Sequence, residues 1–286
     1  MKKKLITNII LSIILLCCVS INVFANVGSV NTDVSQRVID IANGSDNILG
    51  DGVPLSHEEN TGVRFKSGGV DHTHQYIVAS ALVILHNDKG SSILTDTYSE
   101  SILINTDWPD ALGNETDFGT FAGHFYDPDT KDNWLGQTSP TAKTRAVNYF
   151  NNAVSAYESG NISQAMIFLG RGSHYISDIN EPHHASNYTA LNSNHTEFEK
   201  FVDDTRASYK IENNSLNGNF YTEATDTELD TLIDEMAHES KALYPKAMNP
   251  NMYDEAASSC VNNAITRVTQ YLYKFATITG IYWDQL

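Results

Sequence analysis

Between Asp110 and Glu199 the chain sets His124, His174, Asp178, His184, His195 and Glu199, and His74 lies upstream. Imidazole nitrogen and carboxylate oxygen are the ligands of a borderline divalent metal such as zinc. His174 and Asp178 are four residues apart, as are His195 and Glu199, so on helices each pair projects from one face as a two-ligand half-site. With Asp110 this makes eight ligand-type side chains, more than one zinc ion uses and enough for a cluster of two or three. The chemistry open to such a cluster is metal-assisted hydrolysis.

Helical patterning supplies the elements that must hold these residues. Ile77, Ala81, Leu82 and Leu85 form an apolar stripe behind His74, and Val147, Phe150, Ala153, Val154 and Tyr157 form another before a stop at Gly160. Ile162 to Ile179 is apolar on nearly all faces, which predicts a buried helix whose polar exceptions are His174 and Asp178. An unpartnered buried carboxylate is costly, so Asp178 requires either a metal ion or a hydrogen-bonded core histidine. Pro182 ends this helix, and the turn Glu181-Pro182-His183-His184 swings His184 back toward it. Further helices are predicted at about Asn194–Tyr209, Glu228–Leu243 and Asp254–Tyr282, with Asn213–Thr227 read as a polar surface loop. No strand-rich region, repeat or Gly-rich phosphate loop is visible, and the predicted class is all-α.

Lys2, Lys3 and Lys4 precede an apolar run from Leu5 to about Val23 and a small-residue approach to Ala25, which predicts a secretory signal peptide over 1–25 and an extracellular protein. No later run is long and apolar enough to span a bilayer. Cys17 and Cys18 lie inside the signal, so only Cys260 remains, and stability must come from a core or from metal rather than from disulfides. Residues 26–64 are polar and turn-rich outside Val34–Ile41, the pattern of a pro-segment, which leaves 65–286 as one catalytic domain. Lys plus Arg total 18 against 35 Asp plus Glu, a net charge of −17 that argues against tracking nucleic acid by a basic surface.

In order, the pattern reads His74, Trp-Pro-Asp110, Phe121-Ala-Gly-His124-Phe-Tyr-Asp-Pro-Asp, Leu-Gly-x3-His174-Tyr-x2-Asp178-x-Asn-x-Pro-x-His184-Ala-x-Asn, and His195-x3-Glu199. Over about Asp71 to Lys210 it resembles the bacterial zinc-dependent phospholipases C, the group that includes the Bacillus-type enzyme and the clostridial alpha-toxins. The resemblance implies a single compact multi-helix domain around three zinc ions. Asp110, His124, His174 and Asp178 would hold one ion; Asp178 would bridge to a second, also bound by His74; His184, His195 and Glu199 would hold a third. In the family the second ion is completed by the amine and carbonyl of an N-terminal tryptophan, which this chain lacks near His74. Phe65, directly after Arg64, is the nearest aromatic, and Arg64-Phe65 is either a processing point or an ordinary loop dipeptide.

The implied reaction is attack of metal-activated water on the phosphorus of a phosphatidylcholine-like glycerophospholipid, giving diacylglycerol and a phosphorylated headgroup. Asp110 would be a ligand, a general base or both. Phe121 is either a core residue or an aromatic face for a quaternary ammonium headgroup. The resemblance further implies a monomer that meets its phospholipid at a membrane or micelle surface through loops, as a peripheral contact. Two rival readings stand beside it: a trinuclear-zinc nuclease or nucleotidase of the same fold, and a non-catalytic zinc-stabilised binding protein.

Overall fold

The structure is a computed structural model that describes residues 35–45, 72–90, 96–111 and 113–281. The predicted signal peptide and Phe65 lie outside the described residues. Nine α-helices run through the described part: α1 (Gln36–Ala42), α2 (Thr73–Lys89), α3 (Asp96–Thr106), α4 (Ala142–Glu158), α5 (Ile162–Ile179), α6 (His195–Thr205), α7 (Gly218–Asp226), α8 (Leu229–Ala247) and α9 (Tyr253–Thr279). No strand forms among them, and the class is all-α.

Helix α5 has the bounds its apolar pattern predicts, with Asn161 capping its start by accepting from the Gln164 N–H. It packs between α4 and α3 and also against α9. Two glycines allow these approaches: a Cβ on Gly170 would sit 2.3 Å from the Ile102 carbonyl oxygen of α3, and one on Gly172 would sit 1.9 Å from the Tyr271 hydroxyl of α9. That hydroxyl donates to the Ala146 carbonyl at 3.1 Å, so α4, α5 and α9 meet at one point. Cys260 is buried in α9 with a free thiol.

One element differs from the sequence expectation, and another falls on the periodic stretch Val34–Ile41. Residues 213–227, predicted as loop, contain α7, which Asn217 caps and which buries Tyr221 and Ala224. Low intrinsic propensity is overridden there by packing on α9. Within the predicted pro-segment, α1 buries Val38 and Ile41 against α2, and Asn43 beyond its end accepts from Lys210 Nζ at 3.1 Å.

Candidate metal centre

Helix α2 presents His74 from its first turn, and the start of that helix is fixed from outside. Asp203 of α6 accepts from the His72 backbone N–H at 2.7 Å and from Thr73 Oγ1 at 3.1 Å, satisfying donors that a helix start leaves open. His72 therefore turns toward Asp203, and His74 is the buried one, its Nε2 3.6 Å from Asp178 Oδ1 and 4.0 Å from Asp110 Oδ2. Asp110 lies on a short 3-10 turn that begins at Trp108.

His124 sits on another 3-10 turn, Ala122–His124, entered through Phe121 at φ 51°. Arg145 of α4 clamps the preceding loop through Asp117 at 2.6 and 3.1 Å. Gly123 gives the guanidinium room, because a Cβ there would lie 2.2 Å from Arg145 Nη1. His124 Nε2 faces the Glu115 carbonyl at 3.2 Å, the position of the ring proton, which turns the lone pair of Nδ1 inward. There Nδ1 lies 2.9 Å from Asp178 Oδ2, 3.1 Å from His174 Nε2 and 3.7 Å from Asp110 Oδ1.

Asp178, one turn after His174 on α5, stands between two sets of histidines. Its Oδ2 faces His124 and His174, at 2.9 and 3.2 Å, and its Oδ1 faces His74 and His184, at 3.6 and 3.4 Å. His184 Nδ1 is directed to the His124 carbonyl at 2.9 Å, so Nε2 is the nitrogen turned to Glu199 Oε1, 3.6 Å away. His195 Nε2 lies 2.9 Å from the same Glu199 oxygen, as the four-residue spacing on α6 predicts. All eight predicted side chains are thus buried and gathered in one region, although they come from three helices and three turns.

The donor set fits a divalent metal. Zinc bonds of about 2.0–2.1 Å in a tetrahedral arrangement separate ligand atoms by ~3.3 Å, close to the 2.9–3.7 Å separations within each group above. Three ligand sets each bring their donor atoms within 4.8 Å: His74, His174 and Asp178; Asp110, His124 and His174; Glu181, His184 and His195. The surrounding protein also sets the protonation that a metal needs. Burial, reinforced by His174 and Arg145, holds His124 well below the ordinary histidine value, burial likewise lowers His174, and burial brings His195 to about 3. Burial pushes the Asp178 carboxyl well above the usual carboxylate range, a cost that a bound cation would remove.

Phe121 is buried with its ring centroid 5.5 Å from that of His124, edge to face. Two residues that the sequence reading left outside the site lie inside it. Glu181 and His183 are fully buried, and the His183 ring stacks on His195 with centroids 4.9 Å apart. Burial raises the Glu181 carboxyl, but His183 and His195 together pull it below its ordinary value. Their signal in the sequence is two ionisable side chains flanking Pro182 in the turn after a buried helix, a place where an exposed turn is the default.

Residues 73–251 match the family of zinc-dependent phospholipases C. A phospholipase C of Bacillus cereus is 30% identical over 220 residues, covering 71% of this chain and 76% of the relative. One from Clostridium perfringens is 30% identical over 234 residues, covering 71% of this chain and 58% of the relative, so the chain spans little more than half of that protein. The solved alpha-toxin of an avian Clostridium perfringens strain superposes with a TM-score of 0.62 at 27% identity, covering 73% of this chain and 64% of that one. The alpha-toxin of Clostridium absonum, at 24% identity and a TM-score of 0.65 over 74% and 64% of the two chains, has the same fold. The chain belongs to the zinc-dependent phospholipase C family, phosphodiester hydrolases that act on phospholipids.

Proposed function

We propose that this chain is a secreted phospholipase C that releases the phosphorylated headgroup of phosphatidylcholine-like glycerophospholipids. The observation that carries the reading is Asp178, a buried carboxylate whose two oxygens face two different histidine sets. In this reading Asp110, His124, His174 and Asp178 hold one zinc, Asp178 and His74 a second, and His184, His195 and Glu199 a third. Zinc ions so placed supply a nucleophile from water near neutral pH and offset charge growing on the phosphoryl oxygens. The chain's own contribution is positional. Glu115 and the His124 carbonyl fix which imidazole nitrogens point inward, and Asp178 keeps the sets together. Asp110 Oδ1 is 3.7 Å from both His124 Nδ1 and His174 Nε2, a place from which one carboxylate can bind metal and accept a proton from the attacking water.

Processing belongs to the same reading. A leader over 1–25 is removed, and a cut after Arg64 frees the Phe65 amine and carbonyl for the second ion. The cut falls between α1 and α2, so α1 would stay in place by packing on α2 and by the Lys210–Asn43 hydrogen bond. Peripheral membrane contact by a monomer is supported by loops around the site. Phe118, in the loop before His124, is fully exposed, as is most of Leu191 in the loop before His195. No helix among the described residues is long and apolar enough to cross a membrane. In this reading Phe121, packed on His124, would border a headgroup bound at that ion. The test compares zinc-dependent headgroup release from phosphatidylcholine, sphingomyelin and phosphatidylethanolamine with cleavage of single-stranded DNA. Release from phosphatidylcholine is expected to be the largest, and a preference for DNA would overturn the reading.

A further inference from the structure

The turn between α5 and α6 brings a second acid to the ion assigned to His184, His195 and Glu199. Glu181 is fully buried, and its Oε2 lies 3.6 Å from His195 Nε2. A Glu181 oxygen, a His184 nitrogen and a His195 nitrogen all fall within 4.8 Å of one another. Both ring nitrogens of His195 are buried without a well-directed hydrogen bond, and Nε2 faces two carboxylates, Glu199 Oε1 at 2.9 Å and Glu181 Oε2 at 3.6 Å. We propose that Glu181 is a fourth protein ligand of that ion, an inference that rests on the three-ion reading above.

Rigidity supports the assignment. Glu181 Oε2 accepts the His184 backbone N–H at 2.7 Å and Oε1 accepts from His183 Nδ1 at 2.7 Å, so the carboxylate cannot swing away from the pocket. His183 is held in turn by Asn194 Oδ1 at 3.0 Å, and Asn194 Nδ2 donates to the Ala247 carbonyl at 2.8 Å. This is the outer support that metal ligands receive in protein sites. Charge supports it too. Two carboxylates and two neutral imidazoles around a divalent ion give a centre of zero net charge, whereas Glu199 alone would leave one positive charge in a fully buried site. A fourth side chain also closes the coordination sphere, as in structural zinc sites. The ion at Glu181 therefore anchors the α5–α6 turn, and the open position needed for chemistry falls to the ions around Asp178 and Asp110.

Zinc content and affinity of the purified full chain and of Glu181→Gln decide the matter, by elemental analysis after dialysis and by competition with a chromophoric chelator. Wild type is expected to retain three ions, and E181Q two, with the third bound at least ~10-fold more weakly. Three ions in wild type with an unchanged third affinity in E181Q overturns the role of Glu181 and leaves the three-ion reading standing. Two ions in wild type overturns that reading and the inference with it. If E181Q does not fold, a crystal structure of the zinc-loaded wild type replaces it. A Glu181 oxygen about 2.0–2.2 Å from zinc upholds the assignment, and one beyond ~3 Å overturns it.

Discussion

Helix α9 buries Arg267, Gln270 and Lys274, and helix α5 buries His174 and Asp178. On α9 the chain answers every charge itself. Arg267 makes two hydrogen bonds of 2.8 Å to Glu239 and one of 3.2 Å to Glu223, while Lys274 Nζ donates to the Ala224 and Thr227 carbonyls at 3.0 and 2.8 Å. On α5 imidazoles and carboxylates converge from His74, Asp110, His124 and His184, with His124 Nδ1 2.9 Å from Asp178 Oδ2 and 3.1 Å from His174 Nε2. Both helices carry polar residues through an apolar core, but the α9 set pairs cations with carboxylates and carbonyls, whereas the α5 set gathers imidazoles and carboxylates that contact one another. Buried cations paired with carboxylates and carbonyls hold the fold together; buried imidazoles and carboxylates that converge on one place also make a donor set for a divalent cation.

The comparison is most sharply tested at Asp178. Asp178→Asn keeps the shape and removes the charge that two ions would share. Activity is expected to fall by at least ~10³-fold, about 4 kcal/mol of transition-state stabilisation. Metal-free Asp178→Asn is expected to be at least as stable as metal-free wild type, because a carboxyl whose charged form burial disfavours is replaced by a neutral amide of the same shape. The zinc-loaded variant should lose most of the stabilisation that zinc gives wild type. Thermal melts with and without chelator separate these outcomes, and a variant destabilised equally in both states would place Asp178 in the same class as Arg267.

Arg267→Met should behave in the opposite sense. Its partners Glu223 and Glu239 are partly exposed and can hydrate, so the loss is expected at about 2–3 kcal/mol, toward the low end for a broken buried pair. Urea unfolding measures it, and the cost should be the same with and without zinc while activity per folded molecule is unchanged. A cost that grows when zinc is removed would mean that α9 and the metal region are coupled through the core.

The two regions were also unequally legible in the sequence. Helix α5 and the pairs His174/Asp178 and His195/Glu199 follow from helical period alone, since both members of each pair lie on one element. His74 could be separated from His72 only by its neighbours Gln75, Tyr76, Ile77 and Val78; in three dimensions the choice is made by Asp203, which claims the His72 N–H from 131 positions away. Glu181 and His183 were not legible, because a turn around Pro182 has no period and its burial is imposed by α6 and α8 packing over it. Helix α7 was missed for a related reason: its Asn- and Thr-rich sequence has little helical drive, and contacts with α9 supply it.

Between the two regions lies a tie that should give the smallest effect and places the boundary. Asp234 of α8 accepts from Tyr126 Oη at 2.6 Å and from Lys143 Nζ of α4 at 2.7 Å, and Tyr126 is two residues beyond His124. Burial pushes the Asp234 carboxyl up, but the hydrogen bonds from Lys143 and Tyr126 outweigh it and leave it below its ordinary value. A carboxyl lowered in the folded state stabilises the fold above its unfolded value of about 4, and that contribution is lost as pH falls through the lower folded value. Because Asp234 is partly exposed, the discounted contribution is about 1 kcal/mol, or ~2–4 °C in Tm for a domain of this size. Asp234→Asn is therefore expected to melt ~2–4 °C below wild type at pH 7, with the gap closing below about pH 4. The gap should be wider in the metal-free protein, where Asp234 holds the His124 loop without help, than in the zinc-loaded one. Equal gaps in both states would mean that the ion and the α8 tie act on the loop independently, and the boundary between the self-satisfied region and the metal region would then fall between His124 and Tyr126.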